Sequence, residues 1–263
     1  MTLLETRGLT LQAGSRLLVQ GLDWRVEPGQ LWCLLGPNGV GKTTLLHALC
    51  GLRQPVAGTV LIDDRPIAAT PPEQLARRRG LLPQQQFDAF SHSVLDTVLV
   101  GRAPYRIGRQ WDSQDDRAIA RTALRRLGLE ALAPRDVLTL SGGERQRVAF
   151  AALLAQAPPL MLLDEPTSHQ DVGHQLALMG LMRELLDTHA VVMSCHDINL
   201  AARHATHALL LSGTRHWIGT VDAVLSSANL QAAFGCRFEK NGNYFVAVEA
   251  DFADGAASSA GAS

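Results

Sequence analysis

The sequence lacks several features that would assign it to other classes of protein. It has 24 basic and 25 acidic residues and a net charge of −1, so it has no overall basic surface of the kind that nucleic-acid-binding proteins carry. No apolar run is long enough to cross a lipid bilayer, and the first residues lack the basic and apolar regions of a signal peptide. We therefore expect a protein of the cytosol with no nucleic acid partner.

Cysteine is also scarce. The chain has four, which lie far apart at Cys33, Cys50, Cys195 and Cys236. No two of them have the close spacing of a metal site, and disulfides are rare in cytosolic proteins. We therefore expect reduced, buried thiols. With 263 residues the chain can bury a sizeable core, as one large domain or as a domain with an added lobe.

A glycine-rich segment is the clearest functional motif in the chain. It consists of Gly36, Pro37, Asn38, Gly39, Val40, Gly41, Lys42 and Thr43. The order matches G-x-x-x-x-G-K-[ST], the loop that wraps the phosphates of a nucleotide. Glycines let the backbone curl with its N–H groups pointing inward, which creates a site for an anion. Lys42 adds a positive charge for the outer phosphates, and Thr43 supplies a hydroxyl for Mg²⁺.

The segments around this loop predict the elements that hold it. The wholly apolar run from Leu31 to Leu35 predicts a buried strand that leads into the loop. A helix is predicted from Thr43 to Leu49, ending at Gly51, with its positive end toward the same anion. The alternative is a glycine-rich turn without a ligand. Further strands are predicted at residues 3–11, 17–26 and 59–62, so the front of the chain should form a mixed sheet.

A segment of different character follows the glutamines at positions 84–86, with more charge and helical periodicity, and it predicts a separate lobe. One helix should begin near Asp115 and end at Gly128, with acidic residues first and basic residues last, as the helix dipole favours. Its predicted buried face consists of Ile119, Ala123, Leu124 and Leu127. A later helix is predicted to bury Leu176, Met179, Met182, Leu185 and Leu186.

The segment from Leu140 to Val148 predicts a helix that begins with a capping box. Ser141 would accept a hydrogen bond from the backbone of Glu144, which would accept one in return. A cap alone does not explain Gly142 and Gly143, because glycine in a first turn weakens a helix by about 1 kcal/mol relative to alanine. Bare amides at a helix start could instead contact an anion, so a second phosphate site is the alternative.

Two apolar strands are followed directly by polar residues. The run Leu160 to Leu163 ends in Asp164 and Glu165, and the run Ala190 to Ser194 is followed by Cys195 and His196. Open α/β sheets bind ligands at the carboxyl ends of their strands. Asp164 would suit Mg²⁺ beside Thr43, and Glu165 could act on a water as a base. The alternatives are a solvated acidic turn and a structural histidine.

With these motifs in order, the chain resembles the ATP-binding subunit of ABC transporters over roughly residues 3–240. The signature Leu140 to Gln146 carries the resemblance, because other phosphate-loop ATPases lack it. The resemblance implies an α/β fold, a P-loop NTPase core with an N-terminal antiparallel β portion and an inserted helical lobe. It implies one domain over residues 1–250, with the core at 1–85 and 158–250, the lobe at about 86–157, and a disordered tail at 251–263 that is rich in Ala, Ser and Gly.

The resemblance also implies roles for individual residues. The catalytic residues would be Lys42, Glu165 and His196, and Mg²⁺ would be held by Thr43, Gln84 and Asp164. Gln84 would report the presence of the phosphate to the lobe. The other positions implied to bind ATP are Gly36, Pro37, Asn38, Gly39, Val40, Gly41, Thr44, Ser141, Gly142, Gly143 and Asp171.

Two such subunits pair head to tail in this family, so that ATP on the Walker A loop of one is covered by the signature of the other. Ser141 and Gly143 would then contact the γ-phosphate, and the implied reaction is in-line attack by a water that Glu165 polarises. The implied partners are a second copy of the chain, two integral-membrane permease subunits and, indirectly, a substrate-binding protein outside the cell. The subunit would lie on the cytoplasmic face of the membrane.

Secondary motifs narrow the resemblance to the subfamily that imports metal chelates, namely iron-siderophores, haem and cobalamin. They are Val100 to Pro104, Asp197 to Arg203, and Asn229-Leu230 with Phe234-Gly235. The run from Leu82 to Gln86 resembles the cobalamin member in particular. Two alternatives stay open: a soluble ABC ATPase of iron-sulfur cluster assembly, and a DNA-repair or translation ABC ATPase. The second lacks support, because the chain has no coiled-coil heptads and no second ATPase cassette.

Two positions depart from the family pattern. The D-loop reads Ser168-His169-Gln170-Asp171 where Ser-Ala-Leu-Asp is usual. The aromatic residue that commonly stacks on adenine before the Walker A loop corresponds to Ala13. We therefore expect the base to lack its usual platform, unless another ring, with Trp24 the nearest in sequence, replaces it.

Overall fold

Three β-sheets and a group of helices make up the computed structural model, which describes residues 2–85, 90–106, 108, 112–168, 170–242 and 244–250. Its strands are β1 (Leu4–Ala13), β2 (Arg16–Val26), β3 (Leu31–Leu35), β4 (Ala57–Ile62), β5 (Arg65–Pro66), β6 (Arg79–Leu82), β7 (Leu160–Leu163), β8 (Ala190–Ser194), β9 (His207–Ser212), β10 (Arg215–Thr220), β11 (Cys236–Asn241) and β12 (Tyr244–Ala250). Its α-helices are α1 (Lys42–Cys50), α2 (Pro72–Ala76), α3 (Val94–Leu99), α4 (Gln114–Arg126), α5 (Gly142–Gln156), α6 (Val172–Leu185), α7 (Ile198–His204), α8 (Val221–Val224) and α9 (Ser227–Phe234).

A six-stranded sheet in the order β10-β9-β3-β8-β7-β6 forms the centre of the molecule. Neighbouring strands from β9 to β6 run parallel, and only β10 is antiparallel to its neighbour β9. Strands β3, β7 and β8 are buried along their whole length, as expected when both faces of a parallel sheet are covered. The carboxyl ends of five strands therefore meet at one edge, and the predicted site residues follow four of these strands, β3, β6, β7 and β8.

The N-terminal sheet, in the order β2-β1-β4-β5, is antiparallel throughout. This confirms the antiparallel β portion that the resemblance implies, whereas the single mixed sheet predicted from the strand pattern is wrong, because β3 belongs to the central sheet. Strand β1 continues two residues beyond the predicted end, because Ala13 pairs with Arg16 across a two-residue turn. Gly14 in that turn has a φ of 57°, a conformation that glycine adopts without strain. The sheet shares a core with one face of the central sheet, and Trp24 packs edge-on against Trp32 at 5.0 Å.

The helical lobe has a hydrophobic core of its own, formed by α3, α4, α5 and the turns between them. The predicted buried face of α4 is partly wrong. Ile119 is 37% exposed, whereas Ala120 on the next position is fully buried. The helix turns this way because Asp116, one turn earlier, is also buried, where it receives a hydrogen bond from Arg102 Nε at 3.0 Å. A prediction from the spacing of apolar residues alone cannot identify a buried helix face that includes a charged residue such as Asp116.

Helix α6 also corrects the predicted core, because Leu176 is 46% exposed. No residue from Val172 to Ala177 is buried, and contact with the central sheet begins at Leu178. Leu181 is buried too, while Leu186 is only partly buried. The first turns of the helix therefore project beyond the sheet.

Three of the four cysteines are buried free thiols, as predicted, but Cys236 is only partly buried. Among the described residues, no helix is long and apolar enough to cross a membrane. The predicted tail at 251–263, Gln86 of the glutamine run and His169 of the D-loop lie outside the described residues.

Candidate functional site

A cleft of about 560 Å³ opens at the carboxyl edge of the central sheet. The Walker A residues Asn38, Gly39 and Gly41 to Thr44 line it on one side. Gln84, which follows β6, Glu165, which follows β7, and His196, which follows β8, line it on the other. Residues from four separate segments thus come together as the sequence predicts, because parallel strands deliver their following loops to one edge.

The glycine-rich loop has a backbone that side chains would disrupt. Gly36 has a φ of 139°, and a Cβ there would lie 2.4 Å from the carbonyl oxygen of Leu211. Gly41 has a φ of 115° and precedes α1 without a side-chain cap. The first amides of α1 are therefore left for another acceptor, and together with the helix dipole they form a site for phosphate oxygens. The predicted helix is confirmed, starting one residue earlier and ending one residue later.

Lys42 lies folded against its own loop. Its Nζ donates to the carbonyl oxygens of Gly36 at 2.8 Å and Pro37 at 3.3 Å. The side chain is buried, and this burial lowers the pKa of Lys42, while the nearby carboxylates of Glu165 and Asp164 act in the opposite direction. The ammonium group is therefore shielded from water, and its hydrogen-bond acceptors are two neutral carbonyl oxygens. An anionic phosphate would be a better partner for this charge.

Asp164 fits a divalent cation. The residue is 1% exposed, and its Oδ1 accepts a hydrogen bond from Ser194 Oγ at 2.6 Å. Its other oxygen, Oδ2, is buried and has no hydrogen-bond partner among the described residues. An unpaired buried carboxylate oxygen is costly, and Mg²⁺ prefers oxygen ligands of this kind. Thr43, which is exposed and lines the cleft, would supply a second oxygen ligand, so the donor set suits Mg²⁺ bound to a nucleotide.

Glu165 is held by three side chains. Its Oε2 accepts hydrogen bonds from Gln84 Nε2 at 2.9 Å and Ser168 Oγ at 3.0 Å, and its Oε1 contacts His196 Nε2. The backbone of Glu165 has a φ of 49°, in the left-handed region that non-glycine residues rarely adopt. Such strain is concentrated at functional sites. Gln84, Glu165 and His196 are therefore in direct contact, as expected of a base and the residues that hold it.

The signature residues lie outside this cleft. Ser141 and Glu144 form the predicted capping box, with Ser141 Oγ accepting from the backbone N–H of Glu144 at 3.3 Å. Gly142 and Gly143 open α5, and a Cβ on either would meet no atom within 4 Å. Asp171 also lies away from the cleft, where it caps α6 by accepting from His174 N at 2.9 Å. One chain therefore does not bring the signature or Asp171 to its own Walker A loop.

No aromatic ring lines the described part of the cleft where the adenine base would stack. Ala13 and Arg16 lie at the end of the cleft next to the Walker A loop. Trp24 cannot act as the substitute ring in this arrangement, because it is 2% exposed and packs against Trp32 in the core. The expectation that the base lacks an aromatic platform therefore agrees with the packing.

Two serines belong to the site that sequence reasoning did not identify. The sequence places Ser168 only in the D-loop, yet its hydroxyl contacts Glu165. It places Ser194 only at the end of an apolar strand, yet Ser194 contacts both Asp164 and Glu165. A lone hydroxyl in a strand of apolar residues was the only available signal.

Comparison with known proteins places this site in a family. The ABC transporter family model matches residues 19–168. The hemin import ATP-binding protein HmuV of Pseudomonas entomophila is 43% identical over 240 residues, covering 89% of this chain and 92% of the relative. The cobalamin import ATP-binding protein BtuD of Halobacterium salinarum is 38% identical over 256 residues, covering 96% of this chain and 62% of the relative.

A solved structure leads to the same family. The inward-facing structure of a metal-chelate type ABC transporter has a chain with a TM-score of 0.81 and 30% identity, covering 94% of this chain and 97% of that one. Family match, relatives and fold agree with the Walker A loop, the signature and the carboxylates at the sheet edge. This chain belongs to the ABC transporter family, as an ATP-binding subunit that hydrolyses ATP.

Proposed function

We propose that the protein energises import of a metal chelate through a separate membrane permease. The observation that carries the proposal is the contact of Gln84, Glu165 and His196 opposite the Walker A loop in one cleft. The names of the relatives, which cover hemin and cobalamin import, support the direction and the class of substrate. The motifs at Val100 to Pro104 and Asp197 to Arg203 point to the same subfamily.

The residues of the cleft have distinct proposed tasks. The loop amides and Lys42 bind the phosphates of ATP, and Thr43, Gln84 and Asp164 would hold Mg²⁺. Bound Mg²⁺ neutralises charge on the phosphate oxygens. Glu165 accepts the proton of the attacking water, and His196 fixes the Glu165 carboxylate through the contact that the structure shows. Because Glu165 and His196 directly follow strands of the central sheet, the sheet fixes the direction from which the water attacks the phosphate.

A second copy of the chain completes the site in this proposal. Ser141, Gly142 and Gly143 present an exposed helix start that lies outside the chain's own cleft. Head-to-tail pairing brings this start onto the γ-phosphate bound by the partner. Ser168 and Asp171 lie on the connection between Glu165 and α6, so the D-loop belongs to the same surface. The D-loop departs from the usual family pattern at His169 and Gln170 but keeps Ser168 and Asp171.

The permease is proposed to dock between the lobe and the central sheet. A cleft of about 340 Å³ there is lined by Leu82 and Pro83, next to Gln84, and by apolar residues of α5. Val100, which lines the cleft, is 65% exposed, and Phe90 of the lobe is 73% exposed. An apolar cleft of this size suits a short cytoplasmic helix of a membrane protein. The ATPase would then be peripheral on the cytoplasmic face, with two permease subunits and an external substrate-binding protein as its direct and indirect partners.

The test is reconstitution with the permease from the native host in lipid vesicles, together with its substrate-binding protein. We expect ATP-dependent uptake of one labelled chelate among haem, cobalamin and an iron-siderophore, and stimulation of ATP hydrolysis by that chelate. Vesicles carrying Glu165→Gln should take up none. Recovery of a soluble scaffold complex with no uptake would support the iron-sulfur alternative, which the import relatives do not favour.

A further inference from the structure

Ser194 is the last residue of β8 and the only polar side chain of that strand. It is 0% exposed and lies between β3, where it pairs with Leu34, and β7. Its Oγ donates to Asp164 Oδ1 at 2.6 Å and accepts from the backbone N–H of Glu165 at 2.8 Å. One buried hydroxyl therefore joins two consecutive acidic residues that lie 30 and 29 positions away along the chain.

The contact with Glu165 bears on the backbone of the base. Glu165 adopts a left-handed φ of 49°, and residues in that region stay there only when their surroundings impose it. The Glu165 N–H, which points back toward β8, is satisfied by Ser194 Oγ. Without this acceptor, the N–H would lose its partner, and the strained turn would lose a restraint. Ser194 thereby helps to hold the Glu165 carboxylate in the cleft.

The contact with Asp164 fixes the orientation of the proposed Mg²⁺ ligand. Because Ser194 donates to Oδ1, the carboxylate is fixed with Oδ2 as its unpaired oxygen. Groups that hydrogen-bond to metal ligands orient them, and their loss lowers metal affinity or activity about 10- to 100-fold. The same hydroxyl thus orients the ligand oxygen and restrains the base.

We propose that Ser194 is a positioning residue that couples the geometry of the Mg²⁺ ligand Asp164 to that of the base Glu165. The inference rests on the proposed roles of those two residues. Ser194 itself touches neither substrate nor metal. The competing explanation is a purely structural one, in which the hydroxyl only satisfies two buried polar groups and its loss lowers stability without changing how the cleft uses Mg²⁺.

The test compares Ser194→Ala with Ser194→Thr, which keeps the hydroxyl. The matched control is Thr6→Val, which removes another buried hydroxyl that donates to Leu22 O at 2.8 Å in the N-terminal sheet, away from the cleft. For each full-length variant, binding of a fluorescent ATP analogue is titrated with Mg²⁺ and repeated in EDTA. kcat and KM for ATP, and the unfolding midpoint, are measured alongside.

We expect Ser194→Ala to need about tenfold more Mg²⁺ for half-maximal binding and to lose about 10- to 100-fold in kcat. Binding in EDTA and KM should stay within about threefold, because the Walker A loop is untouched. Ser194→Thr should restore both properties, and Thr6→Val should lower the unfolding midpoint alone. If Ser194→Ala is insoluble, Ser194→Cys, which keeps the volume but is a weak donor, should show the same losses.

A Ser194→Ala protein whose Mg²⁺ requirement and kcat stay within twofold of the unmutated values would overturn the inference. Equal losses in Thr6→Val would overturn it as well, because they would show a general effect of instability. Asp164→Asn and Glu165→Gln are measured in parallel. If these two lose activity while Ser194→Ala does not, only the role of Ser194 fails; if they too are normal, the proposed site itself fails.

Discussion

At the scale of single residues, the charged groups that line the cleft hydrogen-bond either to their own loop or to other residues of the site. Lys42 rests on carbonyl oxygens of its own loop, and the Glu165 carboxylate receives hydrogen bonds from Gln84 and Ser168. A phosphate bound at the loop would offer the Lys42 ammonium group a charged acceptor beside these carbonyl oxygens, and charged acceptors form the stronger hydrogen bonds.

Lys42→Ala tests the phosphate-binding role of the lysine. Because Lys42 is the lysine of the Walker A loop, its removal should abolish measurable ATP turnover and lower ATP affinity at least tenfold, about 1.4 kcal/mol. The fold should persist, since the small contacts of Nζ are within one loop. Turnover is measured by phosphate release and folding by circular dichroism. An ordinary hydrolysis rate in a folded variant would contradict the role.

Base selectivity follows from Ala13. Stacking of a base on an aromatic ring contributes about 1 to 3 kcal/mol, and alanine provides almost none of it. Phosphate contacts do not distinguish bases, so GTP should be hydrolysed within about tenfold of ATP, a difference of about 1.4 kcal/mol. Ala13→Tyr should widen the gap in favour of ATP. The rates of ATP and GTP hydrolysis are measured in parallel for both proteins. A preference for ATP above about a hundredfold in the unmutated protein would contradict the prediction.

At the scale of elements, the lobe is stabilised by a buried ion pair at the start of α4. Hydrogen bonds from Ser113, with the nearby Arg102, lower the pKa of Asp116 to about 2. A carboxyl group whose pKa is lower in the folded state stabilises the fold above its unfolded pKa, near 3.8, and this contribution disappears as the pH falls toward 2. The helix start is therefore a point where acid should loosen the lobe.

Asp116→Asn isolates this contribution. The variant leaves Arg102 without its charged partner, so the free energy of unfolding at pH 7 should fall by about 2 kcal/mol. The difference from the unmutated protein should shrink as the pH falls from 4 toward 2. Urea unfolding at a series of pH values measures it. A difference that does not depend on pH would show that packing, not charge, accounts for the loss.

The outcomes for individual elements show what a sequence can predict. Strands β3, β7 and β8 and helix α1 were located within about a residue, because continuous apolar runs and glycine boundaries are local signals. The prediction that Ile119 and Leu176 lie in the core is wrong. Their exposure depends on where a helix meets its neighbour, which apolar spacing alone does not contain.

The site divides in the same way. Lys42, Asp164, Glu165 and His196 were predicted because each follows a strand or belongs to a motif. The contacts of Ser194 were not, because they depend on the register of β8 beside β7, set by pairs such as Leu163 with Met193. The sequence predicts which residues lie at the end of each strand, but not which of these residues are in contact across strands.

At the scale of the whole molecule, the separation of signature and cleft makes pairing of two chains measurable. Glu165→Gln keeps the size of the side chain but removes the base, so ATP should bind without being consumed. We expect sedimentation with ATP and Mg²⁺ to show a lasting dimer of this variant, while the unmutated protein pairs only transiently. A variant that hydrolyses ATP at the normal rate would show that another residue is the base.

A second variant tests whether the signature lies in the interface of this dimer. Ser141→Ala removes the cap of α5 in the exposed signature, at a cost of about 1 kcal/mol in helix stability. Combined with Glu165→Gln, it should weaken the ATP-dependent dimer while ATP binding to the monomer is unchanged. A dimer of full strength would place the signature outside the interface.

The contact between Gln84 and Glu165 links the site of hydrolysis to the proposed docking surface. Three side chains contact the Glu165 carboxylate, and one of them, Gln84, directly follows Leu82 and Pro83 of the proposed permease cleft. A permease helix bound in that cleft would therefore lie next to a residue that holds the base. We expect the permease, in this way, to set how fast the subunit consumes ATP.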